Sequence, residues 1–413
     1  MGGAGVNFID GNAFYSLRLA PELSLGKVGL GLDLRIDLDS TGSIRKENFN
    51  DASDFLSIIR YVRYGQKKDP VFVSVGSLDH YTLGHGSLVN QYNNSPSIDK
   101  RSIGLALDLD FDKFGFESIY SDFSQGSVLG FRGYARPLQF TTLASIPVLG
   151  KMEVGASFAS DFNEYAGVTS GYIDPADGKF VVLNDRKETQ MYGIDLGFPI
   201  VRTSMLNVDL YADYAKIVDF GDGASSGLLV SLSGMGMLTA DLRFERRWMN
   251  DQFIPAYFNS LYEVERFRLS GGSVISKVKQ LSAVTSSDRG YYGLLSVKAA
   301  NMVEVSGSYQ RTDFDPNSGV LSLRAEVTND QLPFTLRAGY DKVRIEKEAS
   351  LFTLDDRSYM FSELGYKPYP YLLVSMVYHW TFEPVRDSGD NVLSYKSQKR
   401  IEPRVSFLFP MNF

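Results

Sequence analysis

Hydrophobic and polar residues alternate along this chain with a period of two, in many separate stretches. Between 28 and 39, Val28, Leu30, Leu32, Leu34, Ile36 and Leu38 fill one set of positions, and Gly29, Gly31, Asp33, Arg35, Asp37 and Asp39 the other. Between 103 and 112, Ile103, Leu105, Leu107, Leu109 and Phe111 alternate with Gly104, Ala106, Asp108, Asp110 and Asp112. The same spacing sets Leu206, Val208 and Leu210 against Asn207, Asp209 and Tyr211, and then Ala212 against Asp213. It also sets Leu238, Ala240, Leu242 and Phe244 against Thr239, Asp241, Arg243 and Glu245, and Leu321, Leu323 and Ala325 against Ser322, Arg324 and Glu326. Successive side chains of a strand point to opposite faces, whereas a helix would scatter these residues around its axis. The pattern predicts an all-β chain.

The one-sided stretches are about 10–13 residues long, against about 5–6 for an average strand in a soluble protein. A strand crossing a bilayer at a tilt needs about 9–11 residues. No amphipathic helix is evident that would cover the apolar faces, so they need a second sheet or lipid. Connections alternate in length. Short ones fall at Gly26-Lys27, Lys67-Lys68-Asp69-Pro70, Asp112-Lys113, Asn301-Met302, Gln331-Leu332-Pro333 and Lys367-Pro368-Tyr369-Pro370. Long polar ones fall at roughly 40–56, 79–101, 163–188, 249–289, 346–358 and 384–399. Short turns at one end and long loops at the other fit a transmembrane antiparallel up-and-down β-barrel. About nineteen strand-like segments are evident. Such barrels have even strand numbers, so the expectation is about 18, with 16 to 20 in range. The least defined regions are the N-terminus and 139–150. The whole chain, 1–413, reads as one barrel, with 1–11 as a separate N-terminal periplasmic or lumen segment.

The chain ends Arg404-Val405-Ser406-Phe407-Leu408-Phe409-Pro410-Met411-Asn412-Phe413, with Val405, Phe407, Phe409, Met411 and Phe413 on one face. This resembles the terminal strand of bacterial outer-membrane β-barrel proteins, which closes the barrel and ends in an aromatic residue. The resemblance extends to the architecture of the whole chain and names no subfamily. It implies residence in the bacterial outer membrane and assembly by the barrel-assembly machinery, with Phe413 as the terminal anchor. Pro410 departs from the pattern, because it cannot donate a ladder hydrogen bond.

Composition adds to this. The hydrophobic fraction of 44%, a mean hydropathy of -0.13 and the absence of any apolar run near 18 residues argue against a membrane-spanning helix. There are 28 Phe and 24 Tyr but 2 Trp; Tyr suits a membrane–water boundary. The 38 Gly residues suit numerous turns. Cysteine is absent, which excludes disulfides, thiol nucleophiles and Cys-ligated metals. A formal charge of -7 offers no basic stripe for nucleic acid. After Met1 there is neither a charged n-region nor an apolar h-region, so an exported chain would be present here in mature or trimmed form.

Little in the sequence points to catalysis. His80 and His85 lie in Asp79-His80-Tyr81-Thr82-Leu83-Gly84-His85, whose spacing fits no dependable metal motif. Ser375 and His379 share a face with Glu383, but residues four apart on a strand lie about 13 Å apart. That is too far for a nucleophile–base hydrogen bond. No catalytic residue, metal or cofactor is assigned. The inward-facing set is Asp33, Arg35, Asp37, Asp108, Asp110, Glu153, Asp209, Asp213, Asp241, Arg243, Glu245, Arg324, Glu326 and Arg337. These predict a polar, pore-lining surface in which charges set ion preference, the acidic excess favouring cations. The bland alternative is an interior cross-linked by salt bridges or plugged. The segment 253–262 is unusually apolar for a loop; it would fold inwards, pack locally or bind a partner. The expectation is a porin-like channel for ions or small polar solutes, its contacts being outer-membrane lipid, the assembly machinery and a homo-oligomeric or docked partner. The alternative is a docking barrel in a secretion, surface-attachment or electron-conduit complex.

Overall fold

A computed structural model describes the chain except residues 1, 10–11, 47–48, 50–54, 56–57, 68, 96–100, 125, 147, 234–236, 271, 301, 328–331, 354–356, 370–371, 390–391 and 408–413. Among the described residues, twenty strands form one antiparallel ring. They are β1 (Gly2–Ile9), β2 (Asn12–Leu19 and Glu22–Leu25), β3 (Val28–Leu32 and Leu34–Leu38), β4 (Ile59–Tyr64), β5 (Val71–Gly76), β6 (Gly104–Asp110) and β7 (Phe114–Tyr120). Then come β8 (Val128–Ala135), β9 (Glu153–Asp161), β10 (Thr189–Arg202), β11 (Leu206–Ile217), β12 (Asp222–Leu232), β13 (Leu238–Met249) and β14 (Asp288–Ala299). The last are β15 (Val303–Thr312), β16 (Gly319–Val327), β17 (Phe334–Ile345), β18 (Ser358–Tyr369), β19 (Leu372–Arg386) and β20 (Val392–Phe407). Each strand pairs with the next. The ring closes where Gly2 of β1 meets Phe407 of β20 and Ile9 meets Arg400. Closure leaves no strand edge with unpaired backbone groups, the condition for a sheet to stand in lipid.

Twenty lies at the top of the expected range. One expectation is corrected: Gly2–Ile9 is a strand of the ring, not a separate segment 1–11. Gly2, Gly3 and Gly5 leave little hydrophobic alternation to read there. Of the terminal face, Val405 and Phe407 belong to β20, whereas Phe409, Met411 and Phe413 lie outside the described residues.

Burial follows the alternation. On β13, Leu242, Phe244 and Trp248 are exposed on the outside, while Arg243, Glu245, Arg247 and Met249 are buried inside. A buried arginine beside an exposed leucine is the reverse of a soluble sheet, and it identifies the enclosed side as the polar one. The outer surface is a band of Leu, Ile and Val, with Tyr192, Tyr214, Trp248 and Tyr291 exposed along its upper margin. Ten residues separate Trp248 from Leu238 at the foot of β13. At about 3.3 Å per residue and a tilt of about 40°, that is a band roughly 25 Å tall. No helix among the described residues is long and apolar enough to cross a membrane.

The expected hairpin turns at 26–27, 67–70, 112–113, 301–302 and 331–333 all join adjacent strands at the end that holds both Gly2 and Phe407. Two expected connections differ. Lys367 to Tyr369 belong to β18, and most of 384–399 belongs to β19 and β20. The polar residues there are strand residues, because β19 and β20 rise well beyond the apolar band. The ill-defined 139–150 is a compact run of short 3-10 turns, Pro137–Phe140, Thr142–Ser145 and Leu149–Lys151.

Two long connections turn inwards. Leu78, Tyr81, Leu83, Leu88, Val89 and Tyr92, from the β5–β6 connection, pack on Phe253, Tyr257, Phe258, Tyr262 and Leu281 of the β13–β14 connection. Together they cover the lumen-facing Ala106, Ile119, Val128, Ala159, Met191, Ala215 and Ile217 of β6–β11. Val89 and Phe258 form a parallel bridge, with Phe258 N–H donating to Leu88 C=O (3.1 Å) and Asn90 N–H to Phe258 C=O (3.0 Å). A smaller cluster lies above. The hairpin Val168–Ile173/Phe180–Asp185 and the hairpin Phe267–Ser270/Ser273–Ser276 meet Leu393 of β20 through Val168, Phe267 and Val274. Phe180 N–H donates to Asp387 (3.2 Å), beyond the end of β19. The first hairpin arises between β9 and β10, half the ring from β19, so this contact runs across the barrel mouth.

Candidate functional site

The lumen divides into a packed sector and an open one. In the packed sector, the tip of the β5–β6 connection lies on a charged wall. Gly84 N–H donates to Glu117 (2.7 Å), and His85 Nδ1 lies 2.9 Å from Asp213 and 3.9 Å from Asp195. The His85 ring stacks on Tyr211 at 4.3 Å, and its carbonyl accepts from Arg243. Gly84 has φ +53°, and a Cβ there would come 2.7 Å from the Arg132 side chain, so the tip approaches the wall only because this residue is glycine. Arg132 holds both oxygens of Asp195 (2.9 and 2.6 Å) and one of Glu153 (2.7 Å). Glu245 receives Arg243, Arg247 and the Tyr211 hydroxyl. Buried charges persist when each is paired and its remaining hydrogen-bonding capacity used, and this network meets that condition.

A second knot ties the two inward connections to β9. Arg266 bonds bidentately to Glu263 (2.7 Å each), and also reaches Asp161 and Ser127. Tyr92 donates to Glu263 and Tyr262 to Asp161. Burial, reinforced by the neighbouring carboxylates, pushes both phenols well above their ordinary range, so they remain neutral donors. A third knot lies near the chain termini, where Asp33 accepts from Arg18 (2.6 Å) and Arg101 (2.7 Å), and Arg35 from β3 reaches Glu402 of β20 (2.9 Å).

The open sector is the wall of β13–β17. A cavity of about 680 Å³ lies between it and the β13–β14 connection, reaching from Asp288, Asp315 and Asn317 at the mouth down to Leu294, Ser306 and Arg324. Below it, Glu326 and Arg337 face each other across the β16–β17 pair at 3.8 Å, still 45% and 54% exposed. A smaller space of about 310 Å³ lies between β4–β6 and Leu78, Asp79 and Tyr81.

The expected inward residues therefore separate. Asp33, Arg35, Asp37, Asp108, Asp213, Arg243 and Glu245 point inwards but are locked in the knots or under the inward connections: Asp108 accepts from Tyr81, and Asp37 from Ser16. Asp110 and Glu153 pair with Arg136, Asp209 with Arg202, and Asp241 accepts from Ser231. Arg324 lines the cavity, held by Asp341 (2.8 Å), and Glu326 and Arg337 line the space beneath. His80 and His85 part company. His80 borders the cavity, its imidazole pushed down by burial and then by the charge of Arg324. His85 joins Asp195 and Asp213, the one group of three possible metal donors among the described residues. Arg132 already occupies both oxygens of Asp195, so the arrangement reads as an ion-pair network. On β19, His379 stacks with Phe361 at 5.8 Å, and Ser375 stands two inward positions away.

No protein-family model and no curated protein matches the chain. Among solved structures it is similar to in-vitro folded OmpT, an outer membrane protein of Vibrio cholerae (TM-score 0.33, 8% identity, covering 98% of this chain and 96% of that one). It is also similar to OccK5 of Pseudomonas aeruginosa (0.34, 14%, 99% and 96%) and to a mutant porin of Rh. blastica (0.25, 11%, 99% and 98%). The superpositions are loose. The chain's own ring of pairings is what makes it a barrel.

Sequence reasoning missed the role of the β5–β6 connection. Its signal was Tyr81, Leu83, Leu88, Val89 and Tyr92, too many apolar residues for a solvated loop and not periodic enough for a strand.

Proposed function

We propose that this protein is a porin-like channel of the bacterial outer membrane, through which small polar solutes pass along the β13–β17 wall. The observation that carries the reading is the cavity of about 680 Å³ between this wall and the β13–β14 connection, with Glu326 and Arg337 half-exposed beneath it. Inward-folded segments that narrow a wide ring make a selective passage, since a ring of this strand number would otherwise enclose a broad aqueous channel. The apolar outer band supports a location in lipid, and assembly through the C-terminal strand follows from the same reading. The docking-barrel alternative loses its motive, because Phe253, Tyr257, Phe258 and Tyr262 are buried inside the barrel and not displayed to a partner.

The test is single-channel recording of refolded protein in a planar bilayer. Discrete current steps are expected. Silence from protein shown to be folded would overturn the channel reading.

A further inference from the structure

The chemistry of the larger cavity indicates what passes. On β15, Ser306, Ser308, Gln310 and Thr312 occupy successive inward positions and all border the cavity. Two residues of strand advance about 6.6–6.8 Å, so these four form a ladder about 20 Å long from the mouth to mid-barrel. Ser306 and Ser308 make no side-chain hydrogen bond to any other described residue, and Gln310 gives only its carbonyl oxygen, to Arg247 (2.8 Å). The ladder therefore presents the hydroxyls of Ser306 and Ser308 and the amide nitrogen of Gln310 to a solute, while the Thr312 hydroxyl is buried at its upper end. Facing it, on the β13–β14 connection, Ile254, Pro255 and Leu261 line the cavity with apolar surface.

Below the rim, the charges around this space are paired. Arg247 is held by Glu245, Lys277 by Glu265 and Arg324 by Asp341 (2.8 Å). At the mouth, Arg311 pairs with Glu348 (3.0 Å), and Asp288 accepts from the backbone N–H groups of Phe314 and Asp315. At the rim, Asp288, Asp315 and the exposed Arg344 show no ion pair among the described residues. A charged solute passing below the rim would find no uncompensated opposite charge along the ladder and would lose hydration without return. A neutral solute with hydroxyls along its edge and C–H groups on its face would match both walls. Resting on the channel reading above, the geometry points to a binding site for a small, uncharged, polyhydroxylated solute of the carbohydrate class, sized to a cavity within the usual range of ligand sites, about 300–1,000 Å³.

The experiment has two parts on the refolded full chain. Single-channel current is recorded in potassium chloride, then with added arabinose or maltose. Swelling of protein-loaded liposomes is measured in the same sugars and in succinate and lysine. The sugars are expected to interrupt the current in a concentration-dependent way and to enter liposomes several-fold faster than either charged solute. Ser306→Ala with Ser308→Ala should weaken sugar block about tenfold, the worth of two neutral hydrogen bonds. Ser306→Thr with Ser308→Thr, which keeps both hydroxyls, should retain the block. If current flows but sugars neither block nor enter ahead of the charged solutes, or the alanine pair blocks as well as the parent, the carbohydrate assignment falls and the channel stands. If folded protein carries no current, the channel reading falls, and this assignment with it.

Discussion

Phe258→Ala separates the barrel from what fills it. Phe258 is fully buried where the two inward connections meet, with its ring 4.7 Å from Tyr262 and 5.2 Å from Tyr257 in edge-to-face contacts. Truncating a buried phenylalanine costs about 3–5 kcal/mol, from lost apolar burial and the cavity left behind. None of that cost falls on the ring, whose strands are joined by backbone hydrogen bonds that Phe258 does not make. The loss should therefore appear as local release of the inward connections, raising their open population by about 10²-fold to a few times 10³-fold, since each 1.4 kcal/mol is a factor of ten. Two readouts check this: proteinase K cleavage within 250–287, and single-channel conductance. Both should rise, while the far-UV circular dichroism of the barrel and its resistance to unfolding in detergent stay at parental values. The reasoning is refuted if cleavage and conductance are unchanged, or if the barrel unfolds along with the connections, which would mean that ring and filling form one cooperative unit.

Three further outcomes follow from the same structure. Arg132→Met leaves the buried Asp195 and its neighbours Glu153 and Glu117 without their shared cation; a loss of about 3–5 kcal/mol is expected in denaturant melts, and adding Asp195→Asn should recover part of it. The raised phenols of Tyr92 and Tyr262 contribute stability that is fully present below the ordinary tyrosine value of about 10 and is lost as the pH rises through their elevated values. Protease protection of 250–287 should accordingly fall between about pH 10 and the onset of general alkaline unfolding. The Tyr92→Phe, Tyr262→Phe pair should be less protected at pH 8 and show a smaller fall, the remainder coming from Tyr257, whose phenol burial also raises. Leu242→Arg, on the outer face between the two ends of β13, should cost about 2–4 kcal/mol in lipid-bilayer refolding titrations, as expected for a cation facing hydrocarbon near the midplane; a neutral result would place that face outside the lipid.

The sequence by itself determined that this chain is a barrel. Period-two alternation, repeated over stretches such as 28–39 and 238–245, fixes which side chains share a face. The short turns at 26–27, 112–113 and 301–302 fix antiparallel neighbours, because each residue's partner follows from the turn that joins the strands. That information is local, and it was legible wherever side chains are large enough to show the pattern. It failed at Gly2–Ile9, where glycines mute the alternation and pairing with β2 and with the distant β20 defines the strand. What fills the ring was decided by tertiary structure alone. Val89 meets Phe258, Arg266 meets Asp161, and Arg35 meets Glu402 across hundreds of residues or across the lumen. No periodicity encodes such contacts, since they depend on how far a connection reaches once the ring has closed. The inward charges were readable as a set, but whether each faces water or a buried partner was not. Asp213 and Glu326 both face inwards on their strands. One is buried beneath His85 and the other is half-exposed, because a loop happens to cover the first and not the second.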